Sequence, residues 1–177
     1  MNKATIHLYV ILLLTKMLFR PSRLMAFPVP REYQRIHHDL YRFLETARDL
    51  SDVETTHRSY TMCQSVLQVF RKRLTLEESI RFANVLPAGI RALYVADWDP
   101  SQQQDGKPLP FESKDVMTWE VQHDLRPTHN FAPDSAIQDV ARALRASLED
   151  TRKFEGCLQE LGEEAQIFWE LPEEIER

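Results

Sequence analysis

Glycine is scarce in this chain of 177 residues, which contains only four. No two of them lie closer together than Gly156 and Gly162, so no segment can form a glycine-rich loop. Loops of that kind bind phosphate because glycine lets the backbone amides approach it closely. The sequence therefore excludes nucleotide binding by either of the standard glycine-rich loops.

Cysteine is also scarce, with one residue at Cys63 and one at Cys157. Neither has the CxxC neighbour that zinc sites and thioredoxin-type sites need. Each falls on the apolar side of a predicted helix, where a free cysteine behaves as a small buried hydrophobic residue. We therefore expect core packing in a reducing compartment and a cytoplasmic protein, although a disulfide between the two residues stays open at this point.

The segment at residues 1–24 lacks acidic side chains but holds four basic ones. It contains an apolar run, residues 8–14, that is too short to cross a bilayer. Three interpretations remain: translation begins at Met25, the segment is a signal or an anchor, or it is an ordered element. We favour the start at Met25, and expect a non-structural leader at residues 1–24 followed by a single helical domain at residues 25–177.

Acidic residues outnumber basic ones from Met25 onwards, by 27 to 18. A surface with that charge repels the phosphates of a nucleic acid, so we expect no nucleic-acid partner. We also expect no membrane partner, because the apolar runs are too short to span a bilayer. The sequence predicts no cofactor.

Apolar residues recur at intervals of three and four along the chain, which is typical of amphipathic helices. No segment alternates with a period of two, so a sheet is not expected. We predict an all-α fold, a single compact bundle of seven or eight helices. The clearest apolar stripe lies in the sixth predicted helix and consists of Ile137, Val140, Ala141, Leu144 and Leu148.

Several helix ends are marked by particular residues. Thr75 and Glu78 have the spacing of a capping box at the start of the third helix. Pro87 ends this helix, because the residue before a proline is pushed out of the α region. Gly162 is expected to end the seventh helix in the left-handed conformation. We assign the inward face of the third helix to Leu76, Ile80 and Ala83, and that of the fifth to Val116, Met117 and Val121.

The two halves of the chain are similar to each other. A constant offset aligns Arg71 with Arg145, and a slip of one residue after Cys157 then aligns Tyr94 with Trp169. Each half consists of a long helix, a short capped helix, a chain stop and an aromatic helix. This order suggests an internal duplication, in which two copies pack around a shared core.

One stretch of the chain carries most of these signals in a recognisable order. Its residues are Arg71 to Glu78, Ala83, Leu86-Pro87, Arg91 and Trp98-Asp99-Pro100. On these residues the chain resembles the bacterial family catalogued as domain of unknown function 2267, closely over about residues 58–101 and more weakly to about 170. The resemblance implies a compact, all-helical bacterial protein with no established activity. Many members have glycine before the tryptophan, where this chain has Asp97.

The sharpest candidate for a binding site is Trp98, which lies between Asp97 and Asp99. An aromatic ring beside carboxylates can hold a cationic ligand or partner side chain, and Arg91 can form a salt bridge with one of the acids. The alternative is a structural role, in which the indole closes the end of the bundle and Asp99 stabilises the turn before Pro100. We favour the structural role and keep Asp97, Trp98, Asp99 and Arg91 as candidates for partner binding.

Arg71, Lys72 and Arg73 form a basic cluster at the end of the second predicted helix. A helix followed by a short capped helix superficially resembles a DNA-binding pair. Cations are, however, favourable at the carboxyl end of any helix, and Arg73 can pair with Glu77 or Glu78. We therefore predict an ordinary solvated helix end.

The histidines show none of the spacings that place two metal ligands on one helical face. His123, His129 and Asp134 flank one loop and form a loose candidate for metal binding or acid–base chemistry. The sequence favours a non-catalytic protein-interaction or structural module that binds an unknown protein partner or itself. The alternative is an enzyme or a metal-binding protein that uses the loops around Trp98 and His129.

Overall fold

Helices make up the regular structure throughout the part of the chain that the computed structural model describes, which is Tyr33 and residues 35–99, 107–125 and 131–172. The expected leader at residues 1–24 and the candidate ligand His129 lie outside these residues. The helices, in chain order, are α1 (Ile36–Leu50), α2 (Thr56–Arg71), α3 (Leu76–Val85), α4 (Ala88–Val95), α5 (Lys114–His123), α6 (Ala136–Ser147), α7 (Thr151–Leu161) and α8 (Glu163–Phe168).

The prediction of an all-α fold is confirmed, since these eight helices are accompanied by no strand within the described ranges. The described helices fall within one compact unit, residues 31–177. None of them is long and apolar enough to cross a membrane. Both cysteines are free and buried, so the prediction that they pack in the core is confirmed.

Helix α2 lies at the centre of the bundle and packs against α1, α4, α5 and α6. Eleven of its sixteen residues are buried. A helix surrounded on most sides must satisfy any polar side chain it carries. Ser59 donates to the main-chain oxygen of Leu44 at 2.6 Å, and Ser65 donates to that of Val121 at 2.6 Å. These bonds join α2 to α1 and α5 while leaving no buried hydroxyl unpaired at either position.

The capping box predicted for α3 is present. The Thr75 hydroxyl accepts from the amide of Glu78 at 3.3 Å, and the Glu78 carboxylate accepts from the amide of Thr75 at 2.8 Å. At the other end of α3, Arg91 donates to the main-chain oxygens of Ala83 at 2.8 Å and Leu86 at 3.0 Å. Both carbonyls lie at the end of the helix, where the usual i+4 amide partners run out, and that of Ala83 also accepts from the amide of Leu86 at 3.2 Å. Side chains therefore satisfy both ends of this short helix.

The inward face predicted for α3 is wrong at Ile80, whose side chain is 52% exposed, and at Leu76. The helix instead turns Ser79 and Phe82 into the core, and both are fully buried. Burying one phenylalanine removes more apolar surface from water than burying one isoleucine, so the stripe that contains Phe82 faces inward. The same correction applies to Val116 in α5, which is exposed.

Aromatic rings from α2, α3, α7 and the end of α8 form the centre of the core. Trp169 is fully buried, with its ring centroid 5.3 Å from that of Phe70 and 5.8 Å from that of Phe82. Phe168 lies 5.0 Å from Phe70, and Phe154 lies 5.8 Å from Phe82. The ring of Trp169 is stacked on Phe82 and edge-on to Phe70, and the other two pairs are tilted. Aromatic pairs in such offset and edge-on arrangements add to the stability gained from burial alone. The short helix α8 is thus held mainly by the two aromatic residues at its end.

The order of elements repeats in the two halves, with a different alignment from the predicted one. Thr75 is the N-cap of α3 and Asp150 is the N-cap of α7, and their separation is one residue greater than the predicted offset. The same greater separation relates Ala88 to Glu163, the first residues of α4 and α8. The extra residue in the second half therefore precedes α7, and its predicted place after Cys157 is wrong.

Candidate functional site

Trp98 follows α4 in a turn, and its ring lies half-buried over the guanidinium group of Arg71. The Arg71 carbon atom Cζ lies 5.1 Å from the centroid of the indole. The ring also meets Tyr94 edge-on, with 6.4 Å between centroids. Trp98 therefore binds a cation through its ring, as a Trp between acids can do, but the cation belongs to the same chain.

Arg71 is the buried member of this cluster, with only 6% of its surface exposed. Its guanidinium donates to the main-chain oxygens of Tyr94 and Ala96, the latter at 3.2 Å. Burial lowers the pKa of Arg71, while Tyr94 and Asp97 act in the opposite direction. An arginine keeps its charge in a protein even so. Arg71 is thus a fixed positive charge that ties α2 to the end of α4.

The predicted site residues separate into two places. Asp97 and Trp98 lie with Arg71, where Gln64 Nε2 donates to the Asp97 carboxylate at 3.4 Å. The sequence also allows Arg91 to pair with an acid of the turn. Its guanidinium binds the carbonyls at the end of α3 instead. Asp99 is exposed at the end of the described segment.

A family model covers most of the chain, residues 40–168, and is described as an uncharacterized conserved protein, DUF2267. The chain belongs to the DUF2267 family. The resemblance found in the sequence is therefore confirmed. A comparison with curated proteins finds no match.

The backbone at Asp97 accounts for the departure from the DUF2267 pattern noted in the sequence. Asp97 has a φ of +53°, in the left-handed region that glycine adopts without strain. Aspartate is one of the few other residues that tolerate this region, because its short side chain bonds locally. Asp97 therefore keeps the turn before Trp98 and adds a carboxylate that faces Gln64.

The basic cluster at the end of α2 is not a solvated helix end in this DUF2267 protein, so that prediction is wrong for two of its three residues. Arg71 and Arg73 are both buried, and Arg73 pairs with Glu120 of α5 at 2.8 Å rather than with Glu77 or Glu78. Lys72 bonds Asp124 at 2.6 Å, also across to the end of α5. Lys72 and Arg73 thus fix α5 against α2, whereas Arg71 binds the end of α4. The local pattern could not predict the pair of Arg73 with Glu120, because the two residues lie 47 positions apart in sequence.

His123 contacts Trp119, one turn earlier in α5, through both its ring and its Nδ1 atom. Its ring stacks on that of Trp119 with 4.5 Å between centroids and an interplanar angle of 13°, and its Nδ1 atom lies 2.8 Å from the main-chain oxygen of Trp119. Among the described residues, no group of three or more His, Cys, Asp or Glu side chains is arranged to hold a metal ion.

Helix α5 carries an exposed aromatic face that was not predicted from the sequence. Trp119 is 58% exposed, and Val116, one turn earlier, is 44% exposed. Together with the stacked ring of His123 they form what we call the α5 face. The opposite side of the helix carries the buried residues Met117 and Val121. The sequence does carry a signal for this face, because α5 has apolar residues on both of its sides, and a helix at the edge of a bundle can bury only one side.

A groove of about 400 Å³ lies beside the α5 face, between α5 and the start of α6. Polar side chains converge on it, and Gln122 donates to the Asp134 carboxylate at 3.0 Å and to the main-chain oxygen of Ala132 at 3.1 Å. Trp119 forms an aromatic wall of the groove. An exposed tryptophan bordered by polar groups is a typical composition for a surface that binds another molecule.

Proposed function

We propose that this DUF2267 protein is a non-catalytic interaction module of the bacterial cytoplasm, which binds a protein partner through the α5 face. Self-association through the same face is the second form of this proposal. The observation that carries it is the exposure of Trp119, because a large aromatic side chain left in water costs free energy that a partner can recover.

The contact between Trp119 and His123 supports the proposal. Stacking against His123 favours one orientation of the indole, so less side-chain entropy is lost when a partner covers it. Tryptophan is also enriched among the few residues that contribute most of the binding energy at protein interfaces. The polar groove beside it would form the rim that sets orientation.

The contacts that the other candidate residues make within the chain also support a non-catalytic role. The ring of Trp98 covers Arg71, and the guanidinium of Arg91 binds two carbonyl groups. These side chains stabilise the fold, which makes them poor candidates for reacting with a substrate. The two buried thiols support a reducing compartment.

The test compares the wild-type protein with Trp119→Ala and with Ile80→Ala as a matched control. Ile80 is also exposed, at 52%, but lies on α3. Analytical ultracentrifugation would detect self-association, and affinity capture from the source organism followed by mass spectrometry would detect a partner. We expect the complex to form with the wild type and Ile80→Ala and to be lost with Trp119→Ala. A complex retained by all three proteins would contradict the proposal.

A further inference from the structure

A second surface, formed by α6, α7 and α8, is distinguished by its charge. Residues 154–172 contain five acidic side chains and no basic one. A groove of about 320 Å³ lies on this surface, and we call it the acidic groove. Glu155, Glu163 and Glu170 line it, together with the single basic side chain Arg145. The net charge of the acidic groove therefore depends on whether the guanidinium of Arg145 is already paired with a carboxylate.

Arg145 is neutralised within the groove. Its Nε atom lies 2.8 Å from one carboxylate oxygen of Glu155, and its Nη2 atom lies 3.4 Å from the other. Its Nη1 atom donates to the main-chain oxygen of Trp169 at 2.9 Å. A guanidinium held in this two-pronged way has little capacity left for an incoming anion. Arg145 and Glu155 thus cancel, and the groove keeps the negative charges of Glu163 and Glu170.

The two remaining carboxylates lie beside exposed apolar surface. Neither the carboxylate of Glu163 nor that of Glu170 has a hydrogen-bond or ion-pair partner among the described residues. Between them in the sequence, Ile167 is 53% exposed, and the half-buried Leu171 also lines the groove, with the buried Leu158 beneath. Aliphatic side chains flanked by free carboxylates are complementary to a helix that carries both aliphatic and basic residues.

We propose that the acidic groove binds a basic amphipathic segment of a partner protein. Aliphatic side chains of the segment contact Ile167 and Leu171, and lysine or arginine side chains pair with Glu163 and Glu170. The surface is formed by other helices than the α5 face, so this proposal goes beyond the proposed function and does not depend on it.

The probe is a synthetic helical peptide of lysine and leucine, labelled for fluorescence anisotropy and titrated with the full-length protein. A glutamate and leucine peptide and a lysine and serine peptide serve as comparisons. We expect only the lysine and leucine peptide to bind, with an affinity that falls as salt is added. Equal binding of the lysine and serine peptide would show plain charge attraction and would overturn the proposal, as would no binding at all.

Two charge variants locate the binding. Glu163→Gln combined with Glu170→Gln removes both free carboxylates of the groove, whereas Glu149→Gln combined with Glu164→Gln removes two exposed carboxylates outside it. Both variants have the same net charge. We expect the groove variant to bind the peptide about tenfold more weakly and the control to bind it as the wild type does. An equal loss in both variants would rule out the groove as the site.

A third variant, Ile167→Ser, tests the apolar part of the contact, and circular dichroism melts confirm that each variant remains folded. We expect weaker peptide binding by Ile167→Ser as well, because the aliphatic contact is lost. Trp119→Ala should bind the peptide as the wild type does. If Trp119→Ala lost peptide binding, the peptide would be occupying the α5 face and the acidic groove would be excluded.

Discussion

Arg145 donates a hydrogen bond from Nη1 to the main-chain oxygen of Trp169, over 2.9 Å, and thereby ties the end of α6 to the end of α8. Arg71 makes the equivalent bond to the main-chain oxygen of Tyr94. Each arginine lies near the end of a long helix and binds a carbonyl that the end of a later short helix leaves unpaired. The two halves of the chain thus use the same connection, which supports the internal duplication considered from the sequence.

The first prediction concerns Arg71. We expect Arg71→Lys to lower the free energy of unfolding by about 1–3 kcal/mol, because a lysine cannot serve the carbonyls of both Tyr94 and Ala96 while stacking on Trp98. Urea unfolding curves would measure the change. Arg81→Lys is the control, since Arg81 is 42% exposed and forms an ordinary i,i+4 pair with Glu77. Equal losses in both variants would mean that the buried bonds of Arg71 contribute no more to the free energy of unfolding than an exposed ion pair does.

The second prediction is that alanine has opposite effects at two glycines. Gly162 has φ +107° and ψ 175°, a region that is almost restricted to glycine, so Gly162→Ala should destabilise the protein by about 1–3 kcal/mol. Gly156 lies inside α7 with open space around it, so Gly156→Ala should stabilise the protein by about 0.5–1 kcal/mol. Thermal melts would show the two signs, and a stabilising Gly162→Ala would refute the first.

Gly162 also shows how far sequence reasoning extends. The sequence predicted a positive φ at this residue, which is confirmed, but the ψ angle differs from the left-handed helical cap that was expected. Because α8 begins at the very next residue, the chain must change direction within one residue. The need for glycine could therefore be predicted from the local sequence, whereas the ψ angle of Gly162 depends on where α8 packs.

Helix α3 illustrates a second limit. Its start was predictable, since Thr75 and Glu78 satisfy each other within a single turn. Its orientation was not, because Ile80 and Phe82 belong to competing apolar stripes of one short helix. Only the neighbouring rings of Phe70 and Trp169 decide that Phe82 is the one to be buried. Long-range ion pairs such as Arg73 with Glu120 were hidden for the same reason.

The third prediction compares two aliphatic residues that the sequence placed in the core. Leu144 is fully buried in α6, and Leu144→Ala should lower the free energy of unfolding by about 2–5 kcal/mol by leaving a cavity. Ile80 is 52% exposed, and Ile80→Ala should change it by less than about 0.5 kcal/mol. Guanidinium unfolding would measure both. A large loss at Ile80 would mean that the outer side of α3 is covered.

The fourth prediction concerns alkaline pH. Burial raises the pKa of Cys63 to about 12, from 9.0 for an ordinary thiol. Above pH 9 the unfolded chain releases this proton while the folded chain keeps it, so stability is lost as the pH rises from about 9 towards about 12. Between pH 8 and pH 10 the thiol should account for a loss of about 1 kcal/mol. Burial raises the pKa of Tyr94 as well, which acts in the same direction.

The control for this effect is Cys63→Ala, which removes the thiol. Its free energy of unfolding should fall less steeply than that of the wild type over the same pH interval, whatever its stability at pH 8. Parallel pH dependences in urea unfolding would show that Cys63 does not contribute to alkaline unfolding.

The last prediction ranks the three tryptophans by the cost of replacing each with alanine. Trp169 is fully buried among aromatic rings, so its loss should cost about 3–5 kcal/mol. Trp98 is half-buried over Arg71, and its loss should cost about 1–3 kcal/mol, part of it through the cation–π contact. Trp119 is 58% exposed, so its loss should cost less than about 0.5 kcal/mol.

Urea unfolding of the three alanine variants tests this order, and acrylamide quenching of variants that keep a single tryptophan tests the exposure behind it. Trp119 should be quenched most readily and Trp169 least. If Trp98→Ala cost as much as Trp169→Ala, the Trp98 ring would be closing the core as well as covering Arg71. If Trp119→Ala proved strongly destabilising, the α5 face would be part of the folded core, and the function proposed for it would fail with it.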